Sequence, residues 1–205
     1  MADHKIKNFK NNVNKLASRY SEIKLIVDFW GIPKYWYREP SFRSLVLIVI
    51  EQQISTIAAK TIFNKLEKYI NEVSTEAVIS IGIEGLMHMG LSKKKSFCCY
   101  NLAKLISNKE LSLSKLDHDS DEQVLKKLTK IPGIGPWTAS MYMLSAMERI
   151  DIWPSTDLGL INGSKDLIKN RITDQSLVLG MRWSPLRSIA ARLIWHYYSK
   201  KFNSN

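Results

Sequence analysis

Apolar residues in this 205-residue chain recur mostly at spacings of three and four, punctuated by only nine glycines and six prolines. That period is the mark of helices that bury one face, and it predicts an all-α protein. The first helix is predicted from Lys5 to Phe29, where Gly31 and Pro33 stop it. Ser41, after Pro40, is placed to cap a helix through Gln52; the β-branched run from Leu45 to Ile50 also fits a buried strand, and helix is preferred. Ser55 caps a second helix reaching about Ile70, with Ala58 and Ala59 as strong helix formers. Gly82, Gly85 and Gly90 mark a looser stretch, followed by a helix from Lys93 to Ser107. Ser120 with Gln123 three residues on forms a capping-box pattern for a helix ending near Lys130. Pro136 suits the first position of the next helix, predicted through Glu148, and Pro185 opens the last, to about Lys200.

Composition narrows the class. Thirty Lys and Arg against nineteen Asp and Glu leave a net charge of +11, while 45% hydrophobic and 24% charged residues are globular proportions. No apolar run approaches the ~20 residues of a membrane span, and the lysine-rich first twenty residues hold no apolar signal-peptide core. After Asp174 no acidic residue follows, whereas Arg182, Arg187, Arg192, Lys200 and Lys201 do; Lys93, Lys94 and Lys95 form a second basic group. Such an excess favours a polyanion, because clustered cations gain by releasing its condensed counterions. The adjacent Cys98 and Cys99 cannot build a disulfide framework or a four-ligand metal site and read as reduced, buried thiols. Asp117, His118, Asp119, Asp121 and Glu122 look like metal ligands, but they also enrich acid at a helix start, which is the preferred reading.

The densest chemical signal is Lys130-Ile131-Pro132-Gly133-Ile134-Gly135-Pro136-Trp137-Thr138-Ala139, between two amphipathic helices. Glycines permit positive φ and leave backbone N–H groups uncovered, so a phosphate can approach where the second helix begins. Such a hairpin holds one DNA strand by its backbone without reading sequence. Gly-x-Gly alone is as often an ordinary tight turn; the full string is much less so.

With this string the chain resembles the helix-hairpin-helix (HhH-GPD) DNA glycosylases, whose pattern is such a hairpin, a Gly/Pro-rich stretch and an aspartate about twenty residues on. Asp157 lies twenty positions after Trp137, within Ile152-Trp153-Pro154-Ser155-Thr156-Asp157-Leu158-Gly159-Leu160. Two further stretches are similar to the 3-methyladenine DNA glycosylase II branch. One contains Glu51-Gln52-Gln53-Ile54-Ser55 with Ala58-Ala59; the other is Arg182-Trp183-Ser184-Pro185-Leu186-Arg187-Ser188 with Ala190-Ala191 and Trp195. The resemblance implies an all-α, two-lobed body with DNA across the cleft and the hairpin at its rim. Residues 1–40 and 150–205 would form the terminal lobe and 41–149 the central one, ending in the helix-hairpin-helix at about 120–148. Bacterial relatives often carry an N-terminal β-domain; with about forty residues ahead of Ser41, none is expected here.

The implied chemistry is base excision from duplex DNA. A stacked base hides its glycosidic bond, so the nucleotide must be rotated out, and breaking the bond then develops positive charge on the sugar. Asp157 is the candidate carboxylate beside that charge, ranked as an electrostatic stabiliser above a proton acceptor because a helix start favours its ionised form. The plain alternative is a helix cap. Lyase-active relatives place a Schiff-base lysine where this chain has Trp137, which points to a monofunctional hydrolase.

For the base pocket, Trp137 leads, with Met141, Trp153, Tyr35 and Trp36 as further candidates; related pockets often have an aromatic at the position of Met141. DNA contacts are expected from Gln53 as gap filler, from Leu91, Ser92 and Lys93, from hairpin residues Gly133, Ile134, Gly135 and Thr138, and from Arg187 and Ser188. Arg187 equally suits a bridge between lobes, and Gln52 and Gln53 suit helix-terminal hydrogen bonds. No redox or organic cofactor is implied, though backbone carbonyls at Lys130, Gly133 and Gly135 are candidates for holding Na+ or K+. The expected partner is damaged double-stranded DNA, met by a monomer in the bacterial nucleoid or a eukaryotic nucleus. The rival readings are a non-catalytic helix-hairpin-helix binding module and a glycosylase for uracil, hypoxanthine or mismatched bases.

Overall fold

The structure is a computed structural model that describes residues 2–168 and 180–202. Among them every regular element is helical: α1 Ala2–Arg19, α2 Ser21–Trp30, α3 Phe42–Glu51, α4 Thr56–Ile70, α5 Thr75–His88, α6 Lys93–Ser107, a 3-10 turn Ser114–His118, α7 Asp121–Thr129, α8 Pro136–Ser145, α9 Leu158–Ile168 and α10 Arg187–Phe202. None of these helices is long and apolar enough to cross a membrane. The chain divides into two compact units, one made of residues up to Tyr37 and from Glu148 onward, the other of Arg38–Met147.

In the second unit, serine caps set the helix starts. Ser41, Ser55, Ser74, Ser92 and Ser120 each accept a backbone N–H three residues on, and Ser120 and Gln123 complete the capping box. Each such cap is worth about 1 kcal/mol. The ambiguous Leu45–Ile50 run is helix: α3 buries Leu45, Val46, Ile48, Val49 and Ile50, and packs on α4, α6 and α8. Core burial on several sides outweighs the small helix penalty of β-branched residues. The glycine-bearing stretch is no loop; α5 runs to His88, kinked where Gly82 takes φ +65. Helix α8 is buried from Thr138 to Ser145, which makes it the spine of the unit, with α7 and α3 against it. It ends at Ser145, short of Glu148, because the Ser145 hydroxyl donates to the Met141 carbonyl at 2.5 Å and its own carbonyl accepts from Arg38 N at 2.8 Å.

In the first unit, the single helix expected over Lys5–Phe29 is broken at Tyr20, which is extended at φ −129, ψ 111. The break re-aims the chain so that Phe9, Val13 and Leu16 from α1 and Ile23 and Ile26 from α2 all reach the core. The Tyr20 hydroxyl donates to the Arg182 carbonyl at 2.6 Å, and Arg182 Nε donates to Glu22 Oε1 at 2.6 Å. The last helix begins at Arg187 and not at Pro185, because Asp151 Oδ1 accepts the Arg187 backbone N–H at 3.1 Å and fixes the start there. Arg192, 4% exposed, donates to the Trp36 carbonyl at 2.6 Å and stacks over the Trp36 ring at 4.3 Å. The guanidinium thus holds the 31–37 segment against α10.

Candidate functional site

In the first unit, Asp157 sits immediately before α9. Its Oδ1 accepts the Leu160 backbone N–H at 2.8 Å and the Trp195 indole N–H at 2.9 Å. The same oxygen thus caps α9 and meets a side-chain donor from α10. The two N–H donors fix the orientation of the carboxyl group at the helix start. Gly163 makes the approach of α9 to α10 possible: a Cβ there would stand 2.8 Å from Ile194 Cγ2. Trp36 lies beside this group, its ring centroid 6.5 Å from that of Trp195. Leu158, next to Asp157, is 73% exposed, an unusual position for a large apolar side chain.

Other predicted residues of this unit turn out to be scaffold. Trp153 is buried, stacks on Trp183 at 5.3 Å and packs so tightly on Gly180 that a Cβ there would meet its ring at 2.4 Å. Tyr35 donates to Glu148, which also receives Lys5, and its ring lies 5.1 Å from Phe9; burial and the Glu148 carboxylate hold its hydroxyl well above the ordinary tyrosine range. Arg187 is engaged in an ion pair inside its own unit. Its Nε and Nη2 donate to the two oxygens of Asp151 at 2.8 and 3.0 Å, within one unit. Burial pushes the Asp151 carboxyl up, but the hydrogen bonds from Arg187 and Ser184 outweigh it and bring the carboxyl below its usual range. Ser188, 2% exposed, donates to the Arg149 carbonyl at 2.6 Å and accepts from Ile152 N at 2.9 Å. These bonds fasten the chain leading to Asp157 onto α10, a positioning role that an exposed phosphate ligand could not have.

In the second unit, the hairpin joins α7 to α8 as predicted. Gly133 takes φ +92, where only glycine is comfortable, and lies so close to α6 that a Cβ would stand 2.6 Å from Cys98 Cβ. Gly135 differs: its φ is −88, and a Cβ there would meet nothing within 4 Å. Its service is to leave the start of α8 uncovered, because it brings no side-chain cap. Ile134 and Thr138 are buried, so neither side chain is offered to a phosphate, and the Ile134 N–H donates to the Ile131 carbonyl at 3.0 Å. Trp137 is half-buried on the first turn of α8; Met141, one turn on, is buried.

Gln53 stands exposed at φ +56 after α3. Ser92 and Lys93 are exposed at the start of α6, whereas Leu91 belongs to the core and offers no side chain to DNA. The Gly133 carbonyl accepts from Gln52 Nε2 at 3.0 Å and the Gly135 carbonyl from Ala139 N at 3.1 Å. A cation at the hairpin would have to share both oxygens with these donors. Among the described residues no group of three or more His, Cys, Asp or Glu is placed to hold a metal ion. The acidic cluster near residue 120 instead serves α7: Asp121 and Glu122 occupy its first turn and Asp119 pairs with Lys127 at 2.7 Å. Burial pushes the Cys98 thiol up to about 12 and holds Cys99 well above the ordinary thiol range, so neither is a thiolate.

Sequence reasoning named Trp195 only as part of a motif and Gln52 only as part of a motif and a helix end. Their hydrogen bonds join residues 38 and 81 or more positions away, and no local pattern carries that information.

No protein-family model matches the chain. The chain is 29% identical over 184 residues to DNA-3-methyladenine glycosylase 1 of Schizosaccharomyces pombe, a match covering 84% of this chain and 78% of that protein. YfjP of Bacillus subtilis, named for the same activity, is 27% identical over 165 residues, 75% of this chain; the match spans 58% of that relative's length. Among solved structures, a DNA-3-methyladenine glycosidase from Bacillus halodurans superposes with a TM-score of 0.77 at 27% identity, covering 94% and 91% of the two chains. The S. pombe 3-methyladenine DNA glycosylase Mag1, in complex with abasic DNA, gives 0.82 at 24% identity over 95% and 99%. With the hairpin and the helix-start aspartate, these likenesses make the chain similar in sequence and in fold to the 3-methyladenine DNA glycosylases.

Proposed function

We propose that this protein is a monofunctional DNA glycosylase that releases alkylated bases, of the 3-methyladenine and 7-methylguanine type, from duplex DNA. The observation that carries this reading is the geometry of Asp157, a carboxylate fixed by the Leu160 N–H and the Trp195 indole beside the aromatic pair Trp36 and Trp195.

The reaction follows from the residues. The hairpin grips one strand through the uncovered N–H groups at the start of α8, with Lys93 and the general positive charge adding counterion release. The damaged nucleotide swings out, at a cost of a few kcal/mol that weakened pairing reduces, and Gln53 fills the space it leaves. Cleavage of the C1′–N bond makes the sugar cationic, and the Asp157 carboxylate faces that charge. At about 4 Å and an effective dielectric of about 20, the attraction is on the order of 4 kcal/mol as an upper guide; half of it exceeds tenfold in rate. Water completes the hydrolysis, giving the free base and an abasic site. An alkylated purine carries positive charge, so electron-rich rings select it, with Trp137 and Trp36 as the candidates. The tryptophan at position 137 supplies no amine, so the strand is left uncut.

The deciding experiment presents a panel of duplexes, each with one 3-methyladenine, 7-methylguanine, uracil, hypoxanthine or oxidised purine, and measures free base and alkali-labile sites. Release of the methylated purines is expected. Release confined to uracil or hypoxanthine would reassign the substrate, and binding without release from any duplex would leave only a binding module.

A further inference from the structure

We propose that Gln52 is a positioning residue that fastens the hairpin to the turn between α3 and α4, so that the element gripping the phosphates and the element filling the gap left by the base work as one piece. The inference goes beyond the glycosylase reading but rests on it. The Gln52 side chain leaves the end of α3 and donates through Nε2 to two points of the hairpin: the Gly133 carbonyl at 3.0 Å and the Thr138 hydroxyl oxygen at 2.8 Å. The first point is the hairpin apex and the second the first turn of α8. One amide therefore sets the spacing across the uncovered helix start where a phosphate would sit.

The other end of the bracket is fixed as firmly. Lys95 reaches from α6 and its Nζ donates to the Ile50 carbonyl at 2.7 Å and the Gln52 carbonyl at 2.6 Å. These bonds satisfy the orphan carbonyls at the end of α3 and hold the Gln52 backbone still. The next residue is Gln53, exposed and at φ +56, a conformation that persists only where its neighbours are held. Behind the hairpin, Cys98 of the same α6 lies against Gly133, closing the third side. Displacing the hairpin thus pulls on Gln52, and displacing Gln52 moves Gln53.

The test compares wild type with Gln52→Met, which keeps side-chain length but loses the amide, and with Thr138→Val, which removes one of its two acceptors. Affinity is measured for an intact duplex and for the same duplex carrying an abasic-site analogue, well below the melting temperature. Gln52→Met should weaken intact-duplex binding about tenfold and also narrow the abasic-to-intact preference, as Gln53→Ala should through direct loss of the gap filler. Thr138→Val should do the same more weakly, and the double variant should bind no worse than Gln52→Met alone, because both changes cut one bracket. A folded Gln52→Met that binds both duplexes as wild type does would overturn the proposal. So would weakened intact binding with an unchanged preference, which would mean that hairpin and turn act separately. If Gln52→Met does not fold, Thr138→Val decides: a narrowed preference supports the bracket, and wild-type binding overturns it. Failure of the wild-type protein to prefer the abasic analogue or release any base would instead sink the underlying glycosylase reading.

Discussion

The indole N–H of Trp195 donates to Asp157 Oδ1 at 2.9 Å, joining the last helix to the residue that precedes α9. A hydrogen bond to a carboxylate is worth about 1.5–3 kcal/mol and also sets which way the oxygens point. If Asp157 stabilises a cationic sugar, its orientation matters as much as its charge. Asp157→Asn should abolish base release while duplex affinity is kept or raised, since the charge that repels phosphate is gone. Trp195→Phe should keep binding and fold but slow single-turnover base release by about tenfold or more. Wild-type rates in Asp157→Asn would remove the carboxylate from the chemistry, and wild-type rates in Trp195→Phe would reduce the indole to packing.

The two hairpin glycines separate fold from function. Gly133→Ala must place a Cβ at φ +92 and 2.6 Å from Cys98 Cβ, both unfavourable. Its melting temperature should drop, with a stability loss of about 2 kcal/mol or more. Gly135→Ala meets nothing and sits at φ −88, so its thermal stability should match wild type. The new methyl, however, covers the start of α8, and duplex affinity should fall. An unchanged affinity in Gly135→Ala would mean that phosphates do not approach there.

The fold was largely legible because its helix starts are written locally: a serine accepting a backbone N–H, or the Ser120–Gln123 box, needs only a few neighbouring residues. Helix ends and breaks were less so. The break at Tyr20 depends on Arg182, the end of α8 on Arg38, and the start of α10 on Asp151. Each is decided by a partner far along the chain. The site divides in the same way. Asp157 and the hairpin stand at spacings that a sequence displays, but Ser188 and Arg187, which look like phosphate ligands by type, are used up on buried backbone and on Asp151. Residue type advertises what a side chain can bond, not what it already bonds.

Asp151 and Glu22 give the first unit an acid-sensitive clasp. In each, burial raises the carboxyl, but hydrogen bonds from Arg187 and Ser184, or from Arg182, bring the folded value below the ordinary 3.8 or 4.5. A depressed folded value means that the stabilisation is complete above the ordinary value and is lost as pH falls through the folded one. The melting temperature should therefore be flat from pH 7 to about 5 and fall below about 4.5. Asp151→Asn should be less stable than wild type at pH 7, by about 1–3 kcal/mol, and should lose less on acidification. A parallel acid profile in that variant would take Asp151 out of the clasp.

In the proposed reaction Trp137 decides what is left behind. A lyase needs an amine close to C1′ to form a Schiff base before the strand is cut. Position 137, on the first turn of α8, offers an indole, and the amine in the hairpin sequence is the exposed Lys130. Incubation with a methylated duplex and borohydride should trap no covalent protein–DNA adduct, and strands should break only after alkali. Trp137→Lys tests the geometry directly: if the half-buried start of α8 faces the sugar, this variant should yield a trapped adduct even with base release slowed by loss of the ring. An adduct from the wild-type protein would mean that another amine reaches the sugar, and one that disappears in Lys130→Ala would identify it. No adduct from Trp137→Lys on an abasic duplex would place α8's first turn away from C1′ and transfer base selection to Trp36.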